Sequence, residues 1–305
     1  MSEWLEHIPL APRTTLEVGG KARFFCAAHT VDALSDALRR ASEERVPVTI
    51  LGGGSNMLIA DRGIDGLVLH PTESSVEVHG PTVRATAGVE WDALVRRCVQ
   101  EDLAGLECLS GIPGQVGASP IQNIGAYGAE VAECIESVEV LDRKTLERRS
   151  LTNEECQFSY RNSRFKTQWR EQFVVTAVTF GLTPGGRPTL RYEELAARFS
   201  TDAPRLTEVR EAVLAIRRSK SMVWDRTDPN HRSAGSFFMN PIVSANDVRN
   251  IEQRSAQNPP RYPAGPGRFK VPAAWLIEHA GFSKGYSRGA AHISTAHALA
   301  LVNSG

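Results

Sequence analysis

The sequence predicts an α+β protein in which small sheets are covered by a few amphipathic helices. Short β-rich segments follow one another through the first two thirds of the chain, and helical spacing is confined to a few stretches between or after them. The 305 residues exceed what one simple core needs, which favours two or three compact units. Together these observations predict layered sheets with covering helices.

The first part of the chain is predicted to form a sheet with one helix. Strands are expected at residues 22–27, 46–51, 57–60 and 66–70. Between the first two, residues 31–44 carry apolar side chains at helical spacing, namely Leu34, Ala37, Leu38 and Ala41. Thr30 directly precedes this segment and is a candidate N-cap.

The middle of the chain is predicted to be richer in strands. Alternating segments indicate strands at residues 75–79, 82–87, 131–141, 145–151 and 173–182, with 131–141 and 145–151 as a pair. A helix is expected over residues 88–102, around Trp91, Leu94, Val95 and Cys98.

The last third is predicted to contain three helices. Residues 206–219 are amphipathic, with Val209, Val213, Leu214 and Ile216 on the inner face. Further helices are expected at 248–257 and 270–281, the latter with Trp275 and Leu276 in the core. The polar segment 221–232 contains Pro229 and is a plausible domain boundary.

Composition excludes several function classes. Thirty-five basic and thirty-five acidic residues cancel, so no overall field favours nucleic acid or an anionic membrane. No apolar run is long enough for a membrane span, and residues 1–7 lack the features of a secretion signal, so a cytoplasmic location is expected. The five cysteines are dispersed, which indicates reduced thiols. No metal-ligand, hydrolase or Walker motif occurs, and no metal site is predicted.

Residues 111–128, with the sequence GIPGQVGASPIQNIGAYG, carry the strongest indication of function. Five glycines and two prolines in this stretch exclude a regular helix. A solvent loop would be rich in Ser, Asp and Lys, whereas this stretch is almost uncharged and carries apolar side chains beside Gln122 and Asn123. A glycine-rich surface loop is the alternative, but the apolar content favours backbone wrapped around a flat or phosphorylated ligand.

This stretch resembles the central signature of the UDP-N-acetylenolpyruvoylglucosamine reductases, and its segment PIQNIGAYG is close to diagnostic. The resemblance extends from about Thr14 to the last residue. It implies a two-part FAD-binding region of the vanillyl-alcohol-oxidase (PCMH) type, over 1–70 and 71–221, and a C-terminal α+β substrate domain over 222–305. It also implies non-covalent FAD, NADPH as co-substrate and a UDP-sugar substrate in peptidoglycan synthesis. Separately, a monomer is expected, and the balanced charge predicts no nucleic-acid partner.

Residues 52–56, GGGSN, follow the predicted strand 46–51. Their spacing misses G-x-G-x-x-G, and the predicted strand that follows argues against a Rossmann-type turn. Consecutive glycines form either a nest of N–H groups for a pyrophosphate or a tight hairpin turn, and the glycines alone do not decide between them. The resemblance favours the nest. It implies these cofactor-binding residues: Gly52, Gly53, Gly54, Ser55, Asn56, Gly117, Ser119, Asn123, Ile124, Gly125, Tyr127 and Tyr160.

A second cluster, FSYRNSRFK at residues 158–166, surrounds Tyr160 and Arg161 with cations and aromatics and contains no acidic residue. A solvated charge run is the alternative to an anion or flavin site. The resemblance implies that Arg161 stabilises an enolate oxygen, that Tyr160 lies beside the flavin, and that Tyr192 closes on the substrate. From the residues alone, Tyr192 would more often be a half-buried residue at a helix start.

Two further groups are candidates for substrate contacts and catalysis. Arg217 and Lys220 end the predicted helix 206–219, where cations suit the helix terminus but could also bind a diphosphate. In RSAGSFFMNP, residues 232–241, Ser236 could stand exposed on a strand edge as a proton donor, although a structural serine is the alternative. The resemblance implies that Ser236 donates the proton and that Asn240 contacts the substrate.

The resemblance also implies a further helix and strand, with a catalytic glutamate, after residue 305. We therefore expect the predicted strand at 298–305 to be an unpaired edge with apolar surface uncovered beside it. An impaired or non-catalytic flavin- or nucleotide-binding protein is the alternative hypothesis. A different oxidase on the same scaffold is another, but it would not need RSAGSFF.

Overall fold

A computed structural model describes residues 3–201 and 203–305, so Met1, Ser2 and Asp202, which fall within the predicted domain ranges, lie outside the described residues. The first sheet contains β1 (Leu5–Pro9), β2 (Lys21–Ala28), β3 (Val48–Ile50) and β4 (Ile64–Pro71). Its strand order is β1-β2-β4-β3. β1 is antiparallel to β2, and both β2 and β3 run parallel to β4, with Val68 opposite Phe25 and Thr49.

Helix α1 (Val31–Glu43) supplies the crossover that the parallel strands require. Its predicted cap is confirmed, because the Thr30 hydroxyl accepts a hydrogen bond from the Ala33 N–H at 3.1 Å. The predicted inner face is also confirmed: Leu34, Ala37, Leu38 and Ala41 are buried and pack against Leu67 and Leu69 of the sheet.

The prediction of a strand at residues 57–60 is wrong. Ile59 is buried against the first sheet while Leu58 is 64% exposed, so the alternation that predicted a strand is real. The Ala60 carbonyl, however, accepts the Gly63 N–H, which closes a turn, and the Gly20 N–H, a single contact that no ladder continues. The segment is therefore an extended connection that follows GGGSN.

The second sheet is antiparallel throughout. It contains β5 (Val76–His79), β6 (Thr82–Thr86), β7 (Ile135–Asp142), β8 (Arg148–Thr152) and β9 (Phe173–Gly181), in the order β8-β7-β9-β6-β5. Val178 of β9 lies opposite both Val138 and Ala85, which fixes the register of the centre. These strands confirm the predictions for residues 75–87, 145–151 and 173–182, whereas the strand predicted at 131–141 begins only at Ile135, after the 3₁₀ turn Val131–Glu133.

Helices cover one face of the second sheet. They are α2 (Trp91–Gln100), α3 (Asn153–Cys156), α4 (Glu193–Ala196) and α5 (Leu206–Ser219). The largest core of the molecule lies here, and Trp91 meets Phe180 of β9 edge-on at 6.0 Å between ring centroids. The Trp91 indole N–H donates to the Leu109 carbonyl at 3.0 Å, which ties the core to the approach to residues 111–128.

Residues 111–128 form no α-helix, as predicted from their glycines and prolines. They contain a single 3₁₀ turn and a two-residue strand, Gly125–Ala126, that pairs with Ala129–Glu130. The other two-residue pair is Leu103–Ala104 with Thr183–Pro184. The 3₁₀ turns are Ala11–Arg13, Glu107–Leu109, Val116–Ala118, Val131–Glu133 and Arg164–Lys166.

The C-terminal part contains β10 (Ser233–Ser236), β11 (Ile242–Ser244), β12 (Arg268–Lys270), β13 (Ala291–Ile293) and β14 (Ala300–Asn303). Helices α6 (Ala245–Ser255) and α7 (Ala273–His279) accompany them. One sheet has the order β10-β14-β13, with Ser287–Arg288 beyond β13. The other places β12 between β11 and Tyr262–Pro263.

Three predictions for this part are corrected. The strand predicted at 298–305 is not an edge, because β14 pairs with β10 on one side and β13 on the other. The helix predicted over 270–281 begins only after Pro272, since Lys270 pairs with Ile242 in β12. Trp275 and Leu276 are half-buried, not core residues, and Leu276 lines an open apolar groove of about 480 Å³ beside Phe238, Phe282 and Tyr286.

Within residues 3–201 and 203–305, no helix is both long and apolar enough to cross a bilayer.

Burial raises the pKa of four free thiols to about 12 each, so they stay protonated and poorly nucleophilic: Cys98, Cys108, Cys134 and Cys156.

Candidate active site

A cavity of about 670 Å³, here called the loop cleft, lies where four chain segments meet. Its walls come from residues 12–15, 51–53 and 111–115, and from Trp224 with its neighbours Val223 and Arg226. GGGSN and the stretch 111–128 are more than fifty residues apart in sequence. Their meeting at one cavity supports the interpretation of both as ligand-contacting segments.

Glycine at position 53 is what lets the two loops approach. A Cβ atom at Gly53 would lie 2.9 Å from the Gly114 Cα, closer than carbon atoms tolerate. The Ser55 hydroxyl donates to the Pro113 carbonyl at 3.1 Å, and the Asn56 amide donates to Gln122 Oε1 at 3.2 Å. Ser55 and Asn56, predicted as donors to a cofactor, therefore hold the two loops together.

Several donors at the cleft and behind its walls lack protein partners. The N–H groups of Gly52, Gly53 and Gly54 bond to no acceptor in the described residues. The Thr15 and Ser119 hydroxyl oxygens are buried and likewise have no partner among these residues. Buried polar atoms are nearly always partnered, so the Thr15 and Ser119 hydroxyls point to a missing acceptor, and the accessible N–H groups of Gly52 and Gly53 suit phosphate oxygens. The structure thus offers a nest at the predicted position.

Gly117 has a different role from the one predicted. Its N–H donates to the Ala87 carbonyl at 3.0 Å. A Cβ atom at this position would lie 2.6 Å from the Ala87 Cβ. Gly117 therefore allows the stretch 111–128 to pack directly on the end of the second sheet, and its N–H is not available to a ligand.

Arg161 lies against the middle of the stretch 111–128. Its guanidinium donates to the Asn123 carbonyl at 3.2 Å and to the Gly125 carbonyl, and its Cζ is 5.1 Å from the centre of the Tyr160 ring. A Cβ atom at Gly125 would lie 2.7 Å from Arg161 Nη1, so glycine is required there. The structure brings both predicted clusters into one site.

The Asn123 side chain is a brace within this site. Its amide donates to Glu130 Oε2 at 2.7 Å and to the Ser159 carbonyl at 3.0 Å, while its Oδ1 accepts the Ala132 N–H at 3.1 Å. Both amide hydrogens are used, the backbone N–H donates to the Pro120 carbonyl at 3.4 Å and Asn123 is fully buried, so the cofactor contact predicted for Asn123 stays a prediction. Ile124 beside it is half-buried.

The predicted tyrosines Tyr127 and Tyr192 meet edge-on, with ring centroids 5.3 Å apart. Burial raises the pKa of Tyr127 to about 12 and also raises that of Tyr192, so both hydroxyls remain proton donors at neutral pH. Tyr192 is 40% exposed, which leaves its ring accessible to a ligand.

The two predicted cations, Arg217 and Lys220, differ in environment. Arg217 is 7% exposed, and a Cβ atom at Gly111 would lie 3.2 Å from its Nε. That Nε has no partner in the described residues, and Nη2 donates to the Met222 carbonyl at 2.6 Å. Arg217 thus lies behind the glycine-rich loop, and the substrate contact predicted for it stays a prediction. Lys220 is more accessible and pairs with Glu194 at 2.6 Å.

His297 is a titratable residue whose pKa is lowered by its surroundings near Lys220 and Arg217. Burial, followed by the nearby cations Lys220, Lys284 and Arg217, lowers the pKa of His297 to about 4. The unfolded chain therefore binds more protons than the folded one between about pH 6.5 and 4. We expect the free energy of unfolding to fall across this window as the pH drops, by up to about 3 kcal/mol.

Urea titrations of wild type and His297→Gln at several pH values would check this expectation. The variant should lose less stability than wild type between pH 6.5 and 4. Identical slopes for wild type and His297→Gln would contradict it.

Ser236 and Asn240 lie at the edge of the C-terminal sheet. Ser236 ends the edge strand β10 opposite Ala300, is exposed, and its hydroxyl has no partner in the described residues, as the sequence predicted. Asn240 Oδ1 accepts the Ala273 N–H at 2.9 Å and so caps α7, which leaves only its amide hydrogens for a ligand. Arg232 pairs with Glu17 at 2.8 Å and attaches this sheet to the wall of the loop cleft.

Sequence analysis missed several residues of this region. Lys270 Nζ lies 4.9 Å from the centre of the Tyr160 ring, so the C-terminal part reaches the Arg161 site. The sequence analysis placed Lys270 in a helix and so missed this contact, which Lys270 makes from strand β12. Arg13, His70 and Trp224 line the loop cleft without any sequence motif to mark them. Among the described residues, no three His, Cys, Asp or Glu side chains converge as a metal site.

A half-buried ion pair supports the loop cleft. Arg210 of α5 contacts Asp92 of α2 through two hydrogen bonds of 2.7 and 2.6 Å, and Asp92 Oδ1 also accepts the Gly111 N–H at 2.5 Å. Burial alone would raise the pKa of Asp92, but these hydrogen bonds outweigh it and lower the pKa. The pair therefore joins two helices to the start of the stretch 111–128.

We expect Arg210→Gln to destabilise the protein by an amount at or somewhat below the roughly 3–5 kcal/mol typical of breaking a buried pair. The exposed pair Arg39–Asp36 is a matched control, and Arg39→Gln should cost about 0–1 kcal/mol. Urea denaturation of the two variants measures both values. Equal small losses would show that the Asp92–Arg210 pair contributes no more than a surface pair.

Two protein families match parts of this chain. Residues 22–146 match the family described as "FAD binding domain", and residues 228–305 match "UDP-N-acetylenolpyruvoylglucosamine reductase, C-terminal domain". The reductase of that name from Thermobifida fusca is 47% identical, with 100% of this chain and 89% of that protein covered. The one from Streptomyces coelicolor is 45% identical, with 99% and 81% covered.

A solved structure shows the same fold. The crystal structure of UDP-N-acetylenolpyruvylglucosamine reductase from Thermus caldophilus is 26% identical and superposes with a TM-score of 0.70, covering 100% of this chain and 90% of that one. The predicted α+β class, with an FAD-binding region and a C-terminal domain, is confirmed. The domain boundaries at 70 and 221 stay predictions.

Proposed function

Because this chain belongs to the UDP-N-acetylenolpyruvoylglucosamine reductase family, we propose that it reduces the enolpyruvyl group of UDP-N-acetylglucosamine enolpyruvate to give UDP-N-acetylmuramate, a peptidoglycan precursor. FAD is the bound cofactor and NADPH the reductant in this proposal. The observation that carries it is the contact of Arg161 with the Asn123 and Gly125 carbonyls, which joins the two motif clusters in one site.

The loop cleft fits the cofactor through residues that already lack partners. The N–H groups of Gly52 to Gly54 would bind its diphosphate, and the buried hydroxyl of Thr15 would complete the shell. When bound, FAD supplies the hydride-transfer chemistry that no side chain can provide. The protein contributes the binding energy, the orientation and the charges around the substrate.

Arg161 would stabilise negative charge on the substrate. A guanidinium carries five N–H donors in a rigid fork, and two of its nitrogens are already fixed by carbonyl groups. The remaining donors are therefore held in a defined direction before substrate arrives. Preorganised donors of this kind typically contribute about 10²–10³ in rate when they meet charge that develops in the transition state.

Ser236 would deliver the proton that completes the reduction. Its hydroxyl is exposed and unpartnered in the described part of the chain, and β10 is fixed between β14 and the Arg232–Glu17 pair. Tyr192, Lys220 and the Asn240 amide are proposed to bind the UDP-sugar. Since Lys220 pairs with Glu194, an incoming diphosphate would have to displace that carboxylate. Arg217, being buried, is not proposed as a substrate ligand.

The proposed reductant and the free thiols are compatible with a cytoplasmic enzyme, because the reducing cytoplasm keeps Cys98, Cys108, Cys134 and Cys156 in the thiol form. We propose that location for this chain.

Two half-reactions test the proposed function. The purified protein should carry flavin absorbance that NADPH bleaches without oxygen and that UDP-N-acetylglucosamine enolpyruvate restores. UDP-N-acetylglucosamine, which lacks the enolpyruvyl group, is the control and should restore nothing. Two results would contradict the proposal. One is a purified protein that contains no flavin, and the other is reduced flavin that the enolpyruvyl sugar fails to reoxidise.

A further inference from the structure

Trp224 is an exposed tryptophan in the wall of the loop cleft. It is 47% exposed, and it lines the same cavity as Gly52 and Gly53. Arg226 is 5.6 Å from the centre of its ring and also lines the cavity. Neither residue has a role in the proposed reaction. A half-exposed indole in a cavity wall offers a large apolar face to a ligand that enters the cavity.

The position of Trp224 is fixed on both sides. Before it, the Met222 carbonyl accepts a hydrogen bond from Arg217, and Val223 packs on Gly111, where a Cβ atom would be 3.3 Å from Val223 Cγ2. After it, the Asp225 carboxylate accepts hydrogen bonds from the Thr227 N–H and hydroxyl at 2.9 and 2.8 Å. The ring therefore belongs to the built wall of the cleft and not to a loose loop tip.

The ligand that such a wall suits is a flat aromatic ring. Nucleotide bases stack on tryptophan, and a guanidinium near the ring strengthens aromatic recognition. The unpaired N–H groups of Gly52 and Gly53 belong to residues that line the same cavity, and they suit a diphosphate. A base linked to a diphosphate is thus the chemistry that the whole cavity would recognise.

Which end of the dinucleotide reaches Trp224 follows from the lining of the cleft. Tyr127, Tyr160 and Arg161 do not line it, so the site of the chemistry lies outside this cavity. Resting on the FAD binding of the proposed function, we propose that the adenine of FAD stacks on Trp224, with Arg226 supporting the ring. The reacting end of FAD then extends from the nest toward Arg161.

Trp224→Ala, Trp224→Phe and Phe282→Ala form the test set. Phe282 is a matched control, since it is 43% exposed and lines the apolar groove, not the loop cleft. Dissociation constants are measured for FAD and FMN on the full chain freed of flavin, and for NADP⁺ on the flavin-loaded protein. Trp224→Ala should weaken FAD binding about 5- to 150-fold, the value of one base stacked on an aromatic ring. Trp224→Phe should retain most of the affinity, and Phe282→Ala all of it.

FMN lacks the adenosine half, so its binding should be the same in wild type and Trp224→Ala. ADP should quench tryptophan fluorescence in wild type and should quench much less in Trp224→Phe. Unchanged FAD affinity in Trp224→Ala would overturn the proposal, as would equal weakening of FMN. Weaker NADP⁺ binding with unchanged FAD binding would assign the ring to the nicotinamide dinucleotide and also overturn it. If wild type binds no FAD, the proposed function itself fails, which is a distinguishable result.

Discussion

Gly53→Val should give a folded protein that binds FAD more weakly and keeps less flavin through purification. The added Cβ would lie 2.9 Å from the Gly114 Cα, so the two loops that line the cleft must move apart. The reason for glycine is this backbone approach and not a left-handed conformation, which occurs at Gly54 instead. Overpacking of this kind costs about 1–3 kcal/mol, which taken from binding corresponds to roughly 5- to 150-fold weaker FAD retention. Flavin per chain, from absorbance of the purified variant, measures it.

Gly80→Ala is the matched control for this variant. Gly80 has a φ of 59° in the turn between β5 and β6, with no atom within 4 Å of its added Cβ. Alanine there should lower stability by about 1–2 kcal/mol through backbone strain and leave the flavin in place. If Gly53→Val keeps its full flavin content, the assignment of GGGSN to the cofactor diphosphate is refuted.

Ser236→Ala should separate the two half-reactions. Reduction by NADPH needs no proton on the sugar, so its rate should stay close to that of wild type. Reoxidation by the enolpyruvyl substrate needs a proton donor and should slow by about 10²–10⁴-fold, the usual contribution of general acid catalysis. Stopped-flow absorbance of the flavin in each half-reaction gives both rates.

Ser287→Ala supplies a comparison, because Ser287 is also exposed in the C-terminal sheet but lies beyond β13. It should leave both half-reactions unchanged. If Ser236→Ala slows both steps equally, or slows neither step, Ser236 is not the proton donor and its role is structural.

The local elements follow from sequence because their causes are local. The Thr30 cap and the apolar spacing in α1 lie within a few turns of one helix, and the structure has both. The glycines and prolines of 111–128 exclude a regular helix wherever the segment is placed. The exposure of Ser236 on a strand edge was likewise predictable from the small residues before it.

The sequence by itself determined the helices, most strands, the family signature and the residue types of the site. Only the tertiary structure decided that 57–60 pairs with no strand, that β14 is an inner strand, that Arg217 is buried and that Asn123 braces the loop. The physical reason is the same in each case. Strand pairing, burial and hydrogen-bond partners depend on groups distant in sequence, such as Arg217 behind Gly111 or Ser159 beside Asn123, and no local pattern encodes those distances.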